Sequence, residues 1–155
     1  MKYLLVALLA LTPVAAHADG FRCETASDTL NVTIYNNVDP TIGTRVPAIV
    51  ILSDSRREFG NKTVATFRGA TGLIKSNGAS YDLDVDGRFK GVERGGEDIA
   101  GTKLIQLKTI KIGIDYSFDR PLEDGARVGG TLVLTKNDGT TISRELDCKR
   151  YLKLK

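Results

Sequence analysis

The residues best placed to do chemistry are the acids of Asp82-Leu83-Asp84-Val85-Asp86-Gly87-Arg88-Phe89-Lys90-Gly91-Val92-Glu93. They satisfy the pattern D-x-D-x-D-G-x5-E at every specified position. Asp82, Asp84 and Asp86 offer side-chain oxygens at alternate positions, Gly87 permits a sharp turn, and Glu93 supplies a carboxylate at the end. A hard, oxygen-rich shell of that kind suits Ca²⁺. The same alternation also describes an amphipathic strand, with Leu83 and Val85 packed and the acids in water. A second cluster is the tail Lys149-Arg150-Tyr151-Leu152-Lys153-Leu154-Lys155, whose side chains carry +4. Lys149, Arg150, Tyr151 and Lys153 would be the residues that touch an anionic envelope surface. The plainer reading is a terminal strand with Leu152 and Leu154 packed and the lysines guarding an edge.

The acidic segment resembles the calcium loop of the EF-hand family over its 12 residues, which implies calcium ligation by Asp82, Asp84, Asp86 and Glu93. Its flanks differ from that family's helices: Asn77-Gly78 comes before it and Arg94-Gly95-Gly96 after it, and Lys90 stands where the loop offers an oxygen.

Other chemistries are closed by composition. His17 is the sole histidine and Met1 the sole methionine, and there is no tryptophan. Both fall inside a segment that reads as a signal peptide over residues 1–18: Lys2 gives a positive start, Leu4 to Leu11 an apolar run, Pro13 a break, and Ala16-His17-Ala18 a small-x-small cleavage site. A chain starting at Asp19 has no histidine for a Ser-His-Asp triad, a Cys-His dyad or a His-ligated metal. Carboxylate pairs for glycoside cleavage would have to come from Glu93, Glu97, Asp98, Glu123 and Asp124, whose separation the sequence leaves open. Ser76 and Lys75 are adjacent, so on a strand they point to opposite faces, a poor nucleophile and base. A non-enzymatic role is expected, with a secreted hydrolase or small-ligand carrier as alternatives.

Of 22 Lys and Arg the signal segment holds only Lys2, which leaves 21 against 19 Asp and Glu. So weak a surplus argues against charge-driven nucleic-acid binding. Cys23 and Cys148 make an even pair near the two ends of an exported chain and are expected to form one disulfide. Gly20-Phe21-Arg22 before Cys23 is no lipobox, and Asn31-Val32-Thr33 and Asn61-Lys62-Thr63 are formal glycosylation sequons that a bacterial signal peptide leaves without weight. After the signal the longest apolar run is Ala48 to Leu52, far short of the roughly 18 to 20 residues of a membrane helix.

The elements that must position these residues are strands, because apolar residues recur with period two between turn residues. Leu30, Val32 and Ile34 alternate with polar neighbours. Val46 to Leu52 is apolar on both faces and is expected to be covered on both, with Pro47 at its start or on an edge. Val64 to Arg68 gives a strand, Leu73-Ile74 a short one, and Asn77-Gly78 a hairpin turn into Tyr81, Leu83 and Val85. Gly91 to Gly101 reads as a loop. From Lys103 to Leu107 the parity is wrong for the strand after it, which predicts a bulge or a short helical turn. Ile110, Ile112, Ile114, Tyr116 and Phe118 mark one buried face, and Leu132 and Leu134 lead through Asn137-Asp138-Gly139 to Ile142, Leu146 and Cys148.

The Gly78-Ala79-Ser80-Tyr81 segment is similar to part of the S-G-x-x-Y signature of small secreted β-barrel inhibitors of c-type lysozyme, with Asn77 in the serine's place. Thr135-Lys136-Asn137 departs from that family's Thr-Lys-Gly loop. The resemblance spans five residues and bears on architecture.

The expectation is therefore a signal peptide at 1–18 and one all-β domain at 19–155, an antiparallel barrel of seven to nine strands, or else a sandwich, closed by Cys23–Cys148. It would be periplasmic or secreted and monomeric, without nucleic-acid partner or transmembrane segment. Its role would be to bind an envelope or extracellular protein or glycan through loops at 36–44, 77–80 and 91–101; a calcium-binding module is the alternative.

Overall fold

A computed structural model describes residues 19–26, 29–37, 40–54, 62–85, 98–99, 101–121 and 123–152. The strands are β1 (Asp19–Thr25), β2 (Leu30–Asn36), β3 (Arg45–Asp54), β4 (Lys62–Lys75), β5 (Gly78–Asp84), β6 (Asp98–Ile99), β7 (Thr102–Lys103), β8 (Leu107–Ile114), β9 (Arg127–Lys136) and β10 (Thr141–Leu152). Eight of them close an antiparallel barrel in the order β1-β10-β9-β8-β5-β4-β3-β2, while β6 and β7 form a separate ribbon. Strands adjacent in the wall are consecutive in the chain apart from that ribbon, so this is an up-and-down barrel with no free edge.

The alternation sends one face of every strand inward. Phe21, Ile34, Leu52, Ile74, Ile110, Ile112, Leu132 and Leu134 are fully buried and fill the interior with side chains. The outer wall carries Arg22, Glu24, Asp82, Lys111, Glu145, Asp147 and Lys149. An apolar inside under a charged outside is the reverse of a membrane-spanning barrel. Among the described residues no helix is long and apolar enough to cross a membrane.

Cys23 and Cys148 face each other in the β1–β10 register and are joined, so the disulfide lies inside the barrel at the seam where first and last strands meet. Leu104–Gln106 forms a 3-10 turn, and the β8–β9 register slips between Leu107 and Thr109, which together absorb the parity break seen in the sequence. Asn137 secures this end of the barrel, its backbone N–H donating to the Gln106 carbonyl (2.9 Å) and its side chain to the Ile105 carbonyl (3.0 Å).

Three sequence expectations need correcting. Val64–Arg68 and Leu73–Ile74 belong to one 14-residue strand, β4; two bulges against β3 shift its inward parity and disguise its continuity. The outer face of β3 is not covered: Ile49 and Ile51 are half-buried, flanked on the wall by Tyr35 and Thr33. Residues 78–80 are the start of β5, not a loop. Of the glycine-rich stretch 91–101 most lies outside the described residues, but Asp98–Ile99 pairs with Thr102–Lys103 around Gly101, whose φ of 74° suits a residue without Cβ.

Candidate functional site

One end of the barrel gathers buried polar groups. Asp19 opens β1, Asn36 closes β2 directly opposite it, and Arg150 lies near the end of β10. All three share the inward parity of apolar neighbours: Asp19 that of Phe21 and Cys23, Asn36 that of Ile34, Arg150 that of Leu146 and Cys148. Arg150 is 0% exposed and grips the Asp19 carboxylate twice, Nε to Oδ1 at 3.1 Å and Nη2 to Oδ2 at 2.5 Å. Phe21, Phe118 and Tyr116 surround the guanidinium, with the Tyr116 ring centre 4.2 Å from Cζ. Desolvated contacts of this type contribute about 2 kcal/mol, and they offset part of the cost of burying the cation.

From the opposite wall Tyr81 reaches into the same cluster and donates its hydroxyl proton to Asn36 Oδ1 at 3.0 Å. Gly72, its partner on β4, makes room: a Cβ there would stand 2.4 Å from the tyrosine ring. Burial raises the Tyr81 phenol well above its ordinary value, against the Asn36 hydrogen bond and the Arg150 charge, which lower it; the Asp19 charge adds to the rise. Two donors of the cluster have no acceptor among the described residues, Arg150 Nη1 and Asn36 Nδ2.

Next to this cluster an open cleft of about 310 Å³ lies between the segment after β8 and the start of β9. Tyr116, Ala126 and Val128 give it apolar surface, and Asp115, Arg120 and Glu123 give it charge of both signs. Arg127 also borders it but is engaged by Asp147 on β10. Backbone bonds fix the walls: Asp115 N–H to the Gly129 carbonyl (2.9 Å), Phe118 N–H to the Ser76 carbonyl (2.8 Å) and Gly125 N–H to the Arg150 carbonyl (2.8 Å). The cleft and the polar cluster share Tyr116.

Of the residues singled out in the sequence, Arg150 and Tyr81 lie in the polar cluster and Glu123 on the cleft, while the calcium candidates and the rest of the tail fall elsewhere. Asp82 and Asp84 lie on the outer face of β5, in regular pairing with β8, and Lys111 Nζ stands 4.0 Å from the Asp82 carboxylate. Asp86 and Glu93, the other two calcium candidates, lie outside the described residues. Among the described residues no three His, Cys, Asp or Glu come together as a metal site. Of the tail, Lys149 is exposed, Lys153 is outside the described residues, and Arg150 points into the barrel, away from any surface. Tyr151 lies half-buried on the outer wall against Tyr35, ring centres 6.3 Å apart, with Arg22 over its ring at 5.5 Å. A hydrogen bond with Tyr151, then partial burial, raises the Tyr35 phenol above its ordinary value. Tyr81, the aromatic of the Gly-x-x-Tyr segment, is wholly interior.

Sequence reasoning missed Asp19, Asn36 and Tyr81 as a polar cluster and Arg120 and Glu123 as a cleft. Parity was the available signal for the cluster, because each member sits in phase with core residues. For the cleft no local signal existed.

Fold and site together define a disulfide-closed, eight-stranded up-and-down β-barrel with a buried ion pair and a charged cleft at one end. Set against protein-family models, characterised proteins and solved structures, the chain matches none.

Proposed function

We propose that the protein is exported, cleaved after Ala18, and acts as a monomeric binding protein of the periplasm or the extracellular fluid. Export is supported by the signal-like composition of residues 1–18 and by the Cys23–Cys148 bridge, which persists in an oxidising compartment. Binding at the end of the barrel is favoured over ligand carriage in its lumen, because large side chains fill the interior. The observation that carries the reading is the cleft beside Tyr116: a concave, partly apolar surface with convergent charges, held on a covalently closed frame. A partner in the cell envelope or outside the cell would insert an apolar group there and meet Arg120, Asp115 or Glu123 with its own polar atoms.

The test immobilises the mature, oxidised protein and its Ala126→Trp variant, whose indole fills the cleft, and exposes both to envelope and secreted fractions of the producing cell. A component retained by the native protein and lost from the variant is the expected result. Equal retention on both, or retention on neither, overturns this reading.

A further inference from the structure

We propose that the cleft continues behind the Tyr116 ring to Arg150, and that its ligand group is a single carboxylate borne on an apolar body. The inference rests on the binding reading above, since it uses the same cleft.

Its basis is the pair of unanswered donors. Arg150 commits Nε and Nη2, one edge of the guanidinium, to Asp19; Nη1 lies off that edge and has no acceptor among the described residues, although the residue is 0% exposed. Asn36 spends its carbonyl on Tyr81 and leaves Nδ2 equally unanswered. The cluster is thus short of acceptors and not of donors, and buried donors without acceptors are rare because they are costly. Something that accepts hydrogen bonds belongs beside them.

The route is through Tyr116. Its ring covers the guanidinium at 4.2 Å and also lines the cleft. The residue lies beyond Ile114, the last residue of β8, and its hydroxyl makes no hydrogen bond among the described residues. The ring is therefore held by its contacts with Phe21, Phe118 and the guanidinium, and a rotamer change would open a path from the cleft to Arg150 at the cost of those contacts but of no hydrogen bond.

The unanswered donors select an acceptor and the rim limits its charge. Asp19 balances Arg150, Asp147 engages Arg127, and Arg120, with no ion-pair partner among the described residues, is the one rim cation left to meet a carboxylate, set against Asp115 and Glu123. Those two acids disfavour a second negative charge. A carboxylate presents two coplanar oxygens to a guanidinium, while Tyr116, Ala126 and Val128 accept an apolar body. A volume of about 310 Å³ suits a small molecule or one side chain displayed by a partner.

The experiment follows the Arg150 Nε–H and Asn36 amide proton signals by NMR in the mature, oxidised protein. Benzoate is titrated to millimolar concentration, with benzamide and inorganic phosphate as controls. Saturable shifts of both signals with benzoate alone are expected. Arg120→Gln should weaken benzoate about tenfold, and Tyr116→Ala should strengthen it by removing the closed population; if Tyr116→Ala does not fold, Arg120→Gln keeps the test. Equal shifts with benzamide, no saturable shift at Arg150, or a fixed water on Nη1 and Nδ2 that benzoate does not displace would overturn the inference. If benzoate fails while Ala126→Trp still abolishes partner retention, the ligand class falls and the binding reading stands. If both fail, the cleft is not a site.

Discussion

Asp19 and Arg150, 131 positions apart, meet inside the barrel as a two-bonded ion pair that spans the same strand seam as the Cys23–Cys148 bridge. Breaking such a pair from one side leaves a buried charge without its counter-ion, which costs about 3 to 5 kcal/mol, whereas replacing both partners by apolar residues of similar size costs far less. Asp19→Leu and Arg150→Met should each lower urea stability by that amount, and the double variant should recover most of it. A double variant as unstable as the sum of the singles would show that the two side chains do not act as a pair.

Tyr81 makes stability depend on alkaline pH. The phenol's ordinary value is 10.0, and the fold raises it well above that, chiefly by burial. Below pH 10 the group is neutral in both states and adds no slope. Above pH 10 the unfolded chain loses the proton and the folded one keeps it, so stability falls as pH rises. Tyr81→Phe should flatten that limb in urea melts between pH 9 and about 11.5, and at neutral pH it should cost about 1 to 3 kcal/mol because Asn36 loses its hydrogen-bond partner. An unchanged alkaline limb would place the pH dependence in other groups.

The barrel was legible in the sequence where parity held and hidden where it broke. Ile110, Ile112 and Ile114 and the Asn137-Asp138-Gly139 hairpin have undisturbed period-two spacing, and β8, β9 and β10 lie where that spacing puts them. Parity fails in β4 at its bulges, which depend on pairing with β3 and have no local signature. Arg150 was in phase with Leu146 and Cys148 all along, but an arginine in a basic tail reads as surface because arginine is seldom buried without a partner. That partner, Asp19, is at the other end of the domain and invisible to any local window. The cleft depends on how residues 115–126 pack against β9 and has no sequence pattern of its own.

The disulfide closes a loop spanning 125 positions. On the chain-entropy view a loop of that length stabilises the fold by about 4 to 5 kcal/mol. The Cys23→Ala/Cys148→Ala variant should lose that much in urea melts, yet keep the barrel's far-ultraviolet dichroism at low temperature, since the β1–β10 ladder and the Asp19–Arg150 pair remain. Loss of the native spectrum without denaturant would mean that the seam has no stability of its own.

Asp82 and Asp84 test the calcium reading directly. Both side chains stand on the outside of a regular strand, Asp82 beside Lys111, and a carboxylate near an ammonium in solvent has little reason to recruit a second cation. The melting temperature of the mature, oxidised protein should be the same in EDTA and in millimolar Ca²⁺. Binding to the native state at 100 times the dissociation constant would add about 2.7 kcal/mol and be plainly visible. A clear upward shift, abolished by Asp84→Ala, would overturn this prediction and make the acidic strand face part of a metal site.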